Sequence, residues 1–230
     1  MHCLGIIPAR GGSRSIPGKN LIPLAGKPLL AYTAEAALGS RSLAATILTT
    51  NDEQIANFGK SLGLFVPFMR PSELAQDDTP MLDVMRHAVD NLPENIAPPD
   101  VVVLLQPTSP LRPSARIDEA VNMLSASDAD VVVSVTEVPH QFLPSSVMTM
   151  NENCGVRPWM DGPEILRRQE KAKLYARNGP AILAITVPFL KTCESFYAGK
   201  TLGLLMPREE SVDIDDPIDL QLAEALLSKK

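Results

Sequence analysis

Residues 5–20 read "GIIPARGGSRSIPGKN", an apolar run that turns into a loop of glycines and cations. The loop supplies Arg10, Arg14 and Lys19, and no acidic residue precedes Glu35. The chain as a whole is acidic, with 21 basic and 27 acidic residues and a formal net charge of −6. A general nucleic-acid or membrane-surface binder needs a broad basic footprint. A local cationic loop in an acidic chain therefore favours a small anionic ligand.

The composition predicts a packed globular protein. The chain has 230 residues, 45% of them hydrophobic and 21% charged, which suits a single domain over residues 1–230. The widely separated Cys3, Cys154 and Cys193 show no metal-ligand spacing, and free cysteines are typical of a reducing compartment. The N-terminal apolar run is too short for a signal peptide or a membrane span. We therefore expect a cytoplasmic protein with neither nucleic-acid nor membrane partners.

Short apolar runs alternate with helical stretches along most of the chain. Runs rich in Val, Ile and Leu without polar alternation are typical of strands buried on both faces of a parallel sheet. The predicted strands cover residues 4–9, 46–50, 101–106, 130–135 and 182–187. The predicted helices cover residues 28–38, 52–62, 80–91, 115–125 and 217–227. This alternation predicts an α/β fold with a doubly wound, mostly parallel sheet and right-handed connections.

The alternation breaks between residues 136 and 178. This stretch holds several prolines, the single tryptophan Trp159, a predicted turn at residues 153–155 and a charged run at residues 167–173. A long insertion in a compact domain is usually functional or an interaction surface. We interpret residues 136–178 as an inserted arm used for dimerisation and for closing the site. A decorated surface loop is the alternative.

The first loop is the leading candidate for a binding site. In open parallel sheets, ligands bind beyond the carboxyl ends of the strands. Gly11 and Gly12 let backbone N–H groups approach a ligand, and Arg10, Arg14 and Lys19 add the charge that a triphosphate needs. The loop matches neither a Walker loop nor a GxGxxG fingerprint. A solvated basic loop is the alternative.

A second candidate lies near the C-terminal end, where residues 211–217 read "SVDIDDP". On a strand, Asp213 and Asp215 would point to the same face. Two carboxylates at a strand end suit Mg²⁺, which keeps several waters and bridges to phosphates. Asp216 directly precedes a proline and has the pattern of a helix N-cap. A polar strand end without a metal is the alternative for the carboxylate pair.

Four blocks of sequence carry a family resemblance, and they are spread over nearly the whole chain. They are "IIPARGGSRSIPGKNLIPLAGKPLLAYT" (6–33), "RPSELAQDDTP" (70–80), "LLQPTSPLR" (104–112) and "VDIDDPIDL" (212–220). In content and order they resemble the signatures of acylneuraminate cytidylyltransferases, the CMP-sialic acid synthetase family. The resemblance implies a Rossmann-like nucleotidyltransferase fold and usually a homodimer. It also implies that Mg²⁺ assists the coupling of CTP to a nine-carbon keto-sugar acid, giving the CMP-sugar and pyrophosphate.

The resemblance assigns roles on the nucleotide side. It implies that the nucleotide is bound by Arg10, Gly11, Gly12, Ser13, Arg14, Lys19, Asn20 and Arg70. The expected reaction is an in-line displacement at the α-phosphorus by the anomeric hydroxyl of the sugar. Negative charge grows on the phosphoryl group and on departing pyrophosphate, so fixed charges stabilise that state. We expect the catalytic residues to be Arg10, Lys19, Asp213 and Asp215. For Arg70, a surface arginine paired with acidic neighbours is the alternative.

On the sugar side, the resemblance directs Gln106 toward the substrate, where its amide can donate and accept hydrogen bonds. An Arg-Gln…Tyr…Asn-Gly pattern of the family recurs over residues 168–179. From it we expect Arg168, Tyr175 and Asn178 to bind the substrate. Arg168 would fork onto the carboxylate of the sugar acid.

Two departures from the family pattern affect the expected substrate and loop. Pro180 follows the Asn-Gly pair, and a tyrosine that the family usually has nearby is missing. The sugar-acid substrate is therefore open between sialic, legionaminic-type, pseudaminic-type and eight-carbon amino-keto acids. Ser15 stands where the family often has glycine, and a positive φ there would cost on the order of 1 kcal/mol. Arg112 is open between an anion ligand and a partner for an acidic side chain. A nucleotidyltransferase with another nucleotide or sugar, and a non-catalytic nucleotide-binding regulator, are the alternative functions.

Overall fold

A central sheet with helices on both faces organises the chain. A computed structural model describes residues 1–161 and 167–228, apart from the side chain of Arg168. The strands are β1 (Cys3–Pro8), β2 (Pro23–Leu24), β3 (Lys27–Pro28), β4 (Ala45–Thr49), β5 (Val101–Leu104), β6 (Val131–Glu137), β7 (Met148–Met150), β8 (Val156–Pro158), β9 (Tyr175–Arg177), β10 (Leu183–Thr186) and β11 (Thr201–Leu205). The α-helices are α1 (Leu29–Leu38), α2 (Glu53–Ser61), α3 (Met81–Asp90), α4 (Ser114–Ser125), α5 (Val187–Thr192) and α6 (Pro217–Leu227). Within the described residues, none of these helices is long and apolar enough to cross a bilayer.

The main sheet has seven strands. Its order is β11-β6-β10-β5-β1-β4, and β9 pairs with β6 beside this path. β1 runs parallel to β4 and to β5, and β11 runs parallel to β6. The predicted doubly wound, mostly parallel sheet is confirmed. The sequence prediction missed two strands of this sheet, β9 and β11, and it also missed the short helix α5.

The direction of β10 corrects one prediction. We expected a parallel strand at residues 182–187, but β10 runs antiparallel to both β5 and β6. Just before it, β9 pairs antiparallel with the carboxyl end of β6, opposite Val135–Glu137. The described chain between β6 and β10 contains no α-helix that could carry it back across the sheet. The arm therefore leaves and re-enters at the same edge, so the returning strand runs in the opposite direction.

Two apolar clusters fill the space between the sheet and the helices. On one face, α1, α2 and α4 contribute Leu30, Ile55 and Ile117. On the other face, α3 and α5 contribute Met85 and Leu190. Each of these side chains is at most 3% exposed, and burying a large apolar side chain stabilises the fold by about 1.5–3 kcal/mol. The carboxyl ends of the parallel strands are thereby held at one edge.

A third cluster brings the C-terminal segment against the first loop. Leu24 from β2, Ile214 and Ala223 from α6 are buried together in it. Asp216 caps α6 as predicted, because its Oδ1 accepts hydrogen bonds from the backbone N–H of Ile218 at 2.7 Å and of the next residue at 3.0 Å. The cap holds the segment that precedes α6 at the edge of the sheet where the first loop lies.

Candidate active site

Asparagine side chains anchor the start of the first loop and tie its end to its start. The backbone N–H of Gly11 donates to Oδ1 of Asn51 at 3.1 Å, and Nδ2 of Asn20 donates to the carbonyl of Arg10 at 2.9 Å. A Cβ at Gly11 would lie 2.6 Å from a carboxylate oxygen of Asp52, so only glycine fits there. The sequence prediction had assigned Asn20 to the nucleotide and had missed Asn51. The signal for Asn51 was its place two residues after the end of β4, at the same edge of the sheet.

The middle of the loop is open. Nothing lies within 4 Å of a Cβ built at Gly12, and Gly18 takes a left-handed conformation with φ of 64°. Ser15 is not among the residues with positive φ, so the strain considered for that position does not arise. Ser13 is half-buried beside these residues. The loop therefore presents backbone around Gly12 and Ser13 to a ligand without steric hindrance.

Arg10 and Arg14 converge on one carboxylate. Nη1 of Arg10 lies 2.5 Å from Oδ1 of Asp77, and Nε of Arg14 pairs with Oδ2 of the same residue. Asp77 belongs to the block "RPSELAQDDTP" and was not singled out from the sequence. Two guanidiniums that share one carboxylate would present the same donors to a phosphate group.

Arg70 adds a buried cation to this group. It is 5% exposed, and its Nε and Nη2 have no hydrogen-bond partner in the part of the chain that the structure describes. Burial, and then the nearby charge of Arg10, lowers the pKa of Arg70 to about 10, so it stays charged at neutral pH. The alternative of a surface arginine is therefore wrong. A buried guanidinium with unused donors next to another cation favours an anion.

Lys19 joins the first loop to the C-terminal segment. Its Nζ donates to the carbonyl of Ile214 at 2.8 Å and lies 3.5 Å from Oδ1 of Asp215. The lysine side chain is 11% exposed, whereas that of Asp215 is 79% exposed. Two regions separated by almost the whole chain therefore meet within one hydrogen-bond length.

Asp213 is the most perturbed carboxylate of the site. Burial raises the pKa of Asp213. A hydrogen bond from Thr108 and the charge of Lys19 lower this pKa, whereas the charge of Asp215 raises it further. Its Oδ1 is buried and has no hydrogen-bond partner among the described residues. We expected a strand here, but the segment forms none and is attached by a single backbone bond from Ile214 to Thr108 at 2.8 Å. Burial still alternates along it, which keeps Asp213 and Asp215 on the less buried side.

The predicted sugar-binding residues are more dispersed. Gln106 is half-buried at the end of β5, and its Oε1 lies 3.5 Å from the hydroxyl of Thr108. Tyr175 is 53% exposed on β9. The side chain of Arg168, for which we predicted a carboxylate contact, lies outside the described residues. The structure therefore brings Gln106 next to the Asp213 region.

Asn178 has a different environment from the one we expected. It is 4% exposed. Its Oδ1 accepts a hydrogen bond from Ser134 at 2.6 Å, and its Nδ2 donates to Ser211 at 3.0 Å. Since both polar ends are engaged inside the protein, we revise its predicted role from direct substrate contact to support of the site. Gly179 follows with φ of 116°.

Two adjoining cavities open beside Asp213. The larger, of about 990 Å³, lies between the arm and the sheet, and the smaller, of about 240 Å³, includes Asp213 in its wall. Thr136 and Arg208 line both, and Oγ1 of Thr136 is buried without a hydrogen-bond partner in the described chain. Lys173 and His140 add further basic groups to the larger cavity. A space of this size and charge suits an acidic ligand larger than a phosphate.

The family comparison matches nearly the whole chain. The model described as "Cytidylyltransferase" covers residues 4–228. Among curated relatives, the chain is 34% identical over 228 residues to an N-acylneuraminate cytidylyltransferase of Escherichia coli, with 99% of this chain and 52% of the relative covered. It is 34% identical over 232 residues to a CMP-N,N'-diacetyllegionaminic acid synthase of Legionella pneumophila, with 99% and 97% covered. The chain thus spans about half the length of some relatives and nearly all of another.

Solved structures agree on the fold. One described as CMP:2-keto-3-deoxy-manno-octonic acid synthetase complexed with CTP superposes with a TM-score of 0.74 at 18% identity, covering 100% of this chain and 99% of the other. A 4-diphosphocytidyl-2C-methyl-D-erythritol synthase from Anaerococcus prevotii gives 0.62 at 12% identity, with 99% and 98% covered. These identities are low, so the likeness concerns the α/β nucleotidyltransferase fold alone.

Proposed function

The chain belongs to the cytidylyltransferase family, and on that premise we propose that it couples CTP to a keto-sugar acid of the nonulosonic type, giving the CMP-sugar and pyrophosphate. The observation that carries this proposal is the contact of Lys19 with Ile214 and Asp215. That contact joins a glycine-rich cationic loop to a pair of carboxylates. A triphosphate needs both kinds of group on one ligand, cations for its oxygens and carboxylates for its counter-ion.

The cationic side chains would form the nucleotide-binding part of the site. Arg10, Arg14 and Arg70 would bind the phosphates, with the open backbone around Gly12 close by. Lys19 is held by a carbonyl of the opposite segment, so its charge is oriented before the ligand arrives. Donors fixed in advance stabilise the charge that develops on pyrophosphate without reorganising during the reaction.

The carboxylates Asp213 and Asp215 fit a magnesium ion. Asp213 offers a buried oxygen that lacks a partner among the described residues, and Asp215 offers an exposed one; Mg²⁺ prefers such oxygen donors. The described residues contain no group of three or more His, Cys, Asp or Glu placed to hold a metal. A magnesium ion held by this pair would therefore also need oxygen ligands from phosphate and water. When bound, Mg²⁺ would offset triphosphate charge and polarise the attacked phosphoryl group.

The cavities beside Asp213 support an acidic sugar as the second substrate. The basic groups Arg208 and Lys173 on the cavity walls would favour its carboxylate. Gln106 lines neither cavity and would orient those sugar hydroxyls that reach toward Thr108. The relatives are named for N-acylneuraminate, N,N'-diacetyllegionaminic acid and, in Campylobacter jejuni, pseudaminic acid. We propose an acid of this class for this chain as well.

A pyrophosphate-release screen tests the proposal. CTP and Mg²⁺ are offered with a panel of nonulosonic and eight-carbon keto-sugar acids, and ATP, GTP and UTP serve as controls. We expect release with CTP and at least one acid, and none when Mg²⁺ is removed. Release with another nucleotide instead would indicate a related nucleotidyltransferase. No release with any acid, despite CTP binding, would indicate a non-catalytic nucleotide binder.

We also propose that the arm forms a homodimer in the cytoplasm. Its exposed apolar side chains support this, since Met150, Trp159 and Val156 are 70%, 66% and 61% exposed, and large exposed apolar surfaces mark interaction sites. The three cysteines are free, which suits a reducing compartment. Met150→Glu should shift the protein to a monomer in sedimentation analysis. The control Leu38→Glu, on α1 and 50% exposed, should leave the assembly unchanged, and a wild-type monomer would refute the dimer.

A further inference from the structure

Arg112 is a buried cation whose partners are neutral. It is 2% exposed, and burial lowers its pKa to about 9, so it is charged at neutral pH. The sequence left it open between an anion ligand and a partner for an acid, but its hydrogen-bond acceptors in the described chain are two carbonyls and a hydroxyl. Keeping a charge away from water without an opposite charge is costly. Stability alone does not explain an arginine at this position.

The guanidinium of Arg112 connects three separate elements. Its Nη1 donates to the carbonyl of Ala181 at 2.5 Å and lies 3.4 Å from the carbonyl of Gln106. Its Nη2 donates to Oγ1 of Thr33, on α1, at 2.9 Å. That hydroxyl in turn lies 3.4 Å from the carbonyl of Gln106. A planar fork with donors in several fixed directions can hold all of these acceptors at once, which a lysine ammonium cannot do in the same geometry.

The two loops that Arg112 joins meet at Asp213. A Cβ built on Gly179 would lie 3.2 Å from Oγ of Ser109 and 3.3 Å from Oδ2 of Asp213. Ser109 comes from the loop that follows Gln106, and its buried Oγ has no hydrogen-bond partner among the described residues. The contact is therefore close and is not secured by a hydrogen bond of that serine. The separation of the two loops therefore depends on hydrogen bonds made on the side of the loops that faces away from Asp213.

We propose that Arg112 is a positioning residue, which sets the distance between the Gln106 loop and the turn from Asn178 to Ala181. It thereby fixes the spacing of the loops behind Asp213, which lies in the wall of the smaller cavity, and it touches neither substrate. The identity of the substrate in this inference rests on the proposed function. The coupling of the two loops rests only on the contacts described here.

A second arginine that bonds backbone carbonyls serves as a control for simple stability. Arg86 donates to the carbonyls of Leu190, at 3.0 Å, and Cys193, although it is 32% exposed and lies 3.6 Å from Oδ1 of Asp83. It joins α3 to α5 on the opposite face of the sheet, away from Asp213. The variants are Arg112→Met, Arg112→Lys and the control Arg86→Met. The measurements are the KM for CTP and for the sugar acid, the melting temperature, and hydrogen exchange of backbone amides at residues 106–112 and 178–183.

We expect both Arg112 variants to raise the KM for the sugar acid about tenfold or more and to leave the KM for CTP within about twofold. Exchange should quicken in both loops together. Arg86→Met should lower the melting temperature and change neither KM. If Arg112→Met does not fold, Arg112→Lys provides the same readouts, because it keeps the charge and loses only the fork.

The inference is overturned by an unchanged KM for the sugar acid, by an equal rise in the KM for CTP, or by faster exchange in only one loop. Full rescue by lysine would also overturn it, since the charge and not the fork would then matter. If the wild type releases no pyrophosphate with any acid, the proposed function fails. The exchange comparison then still decides whether Arg112 couples the two loops.

Discussion

Asp77 gives the sharpest prediction, because it occupies the donors that a triphosphate would use. Both Arg10 and Arg14 pair with its carboxylate. CTP must either displace Asp77 from these guanidiniums or bind beside its negative charge, and both routes oppose binding. The isosteric change Asp77→Asn removes the charge and should therefore tighten the binding of CTP.

The size of the expected change in the Kd for CTP follows from how exposed the three charged side chains are. Arg14 is 85% exposed, and Arg10 and Asp77 are each 32% exposed, so neither ion pair is strongly desolvated. Pairs of this kind contribute about 0.2–1 kcal/mol each. Losing both amounts to about 0.4–2 kcal/mol, which is about a two- to thirtyfold lower Kd at about 1.4 kcal/mol per decade.

Isothermal titration of CTP into the protein without sugar acid measures this change, and tripolyphosphate serves as a probe that lacks the base. The matched control is Asp78→Asn, because Asp78 is the neighbouring exposed carboxylate and forms no ion pair among the described residues. Added salt should shrink the difference between the Asp77 variant and wild type, since exposed charges are screened. Weaker CTP binding in Asp77→Asn would refute the reasoning and would mean that Asp77 organises the arginines for the ligand.

Four further predictions concern the opposite side of the site. Asp213→Asn and Asp215→Asn should each cut turnover at least about 100-fold, and near-normal turnover in both would remove them from the metal site. Because burial raises the pKa of Asp213, its ionised form destabilises the fold above the ordinary aspartate pKa of about 3.9; Asp213→Asn should therefore melt higher than wild type at pH 7 and lose that gain near pH 3. Arg168→Ala should weaken binding of the sugar acid and spare CTP, and titration showing loss of CTP affinity would assign it to the nucleotide instead. Gly179→Ala should cost about 1–3 kcal/mol in chemical denaturation, since φ is 116° and the new methyl would meet Ser109 and Asp213; an unchanged midpoint would contradict the close contact.

The sequence predicted most of the fold because burial has a local signature. Apolar runs of four to eight residues mark strands covered on both faces, and their alternation with helical stretches implies parallel pairing. The cap at Asp216 was equally readable, since it depends only on residues within one turn of the helix. The strand β10 carries the same apolar pattern as its neighbours. Its reversed direction depends on where the arm re-enters the sheet, which no local pattern records.

The site was partly predictable for the same reason. The cations of the first loop stand out directly after an apolar run, and Asp213 and Asp215 stand out because they alternate with Val212 and Ile214. What those side chains contact could not be predicted. Asp77 bridges two arginines, Asn51 anchors Gly11, and each lies on a different element from its partner. Asn178 is of a residue type that often contacts ligands, but both ends of its amide form hydrogen bonds with other residues inside the protein.

The amino-acid sequence by itself determined the α/β class, the N-cap at Asp216 and the candidate residues of the site, because each of these is encoded in neighbours along the chain. Tertiary structure alone decided that Lys19 meets Asp215 across 196 residues, that Arg112 is buried against carbonyls and that Arg70 keeps unused donors beside Arg10. These outcomes depend on which groups remain without water and without a nearby charge once the sheet has formed. That balance of desolvation and pairing is a property of three-dimensional neighbours.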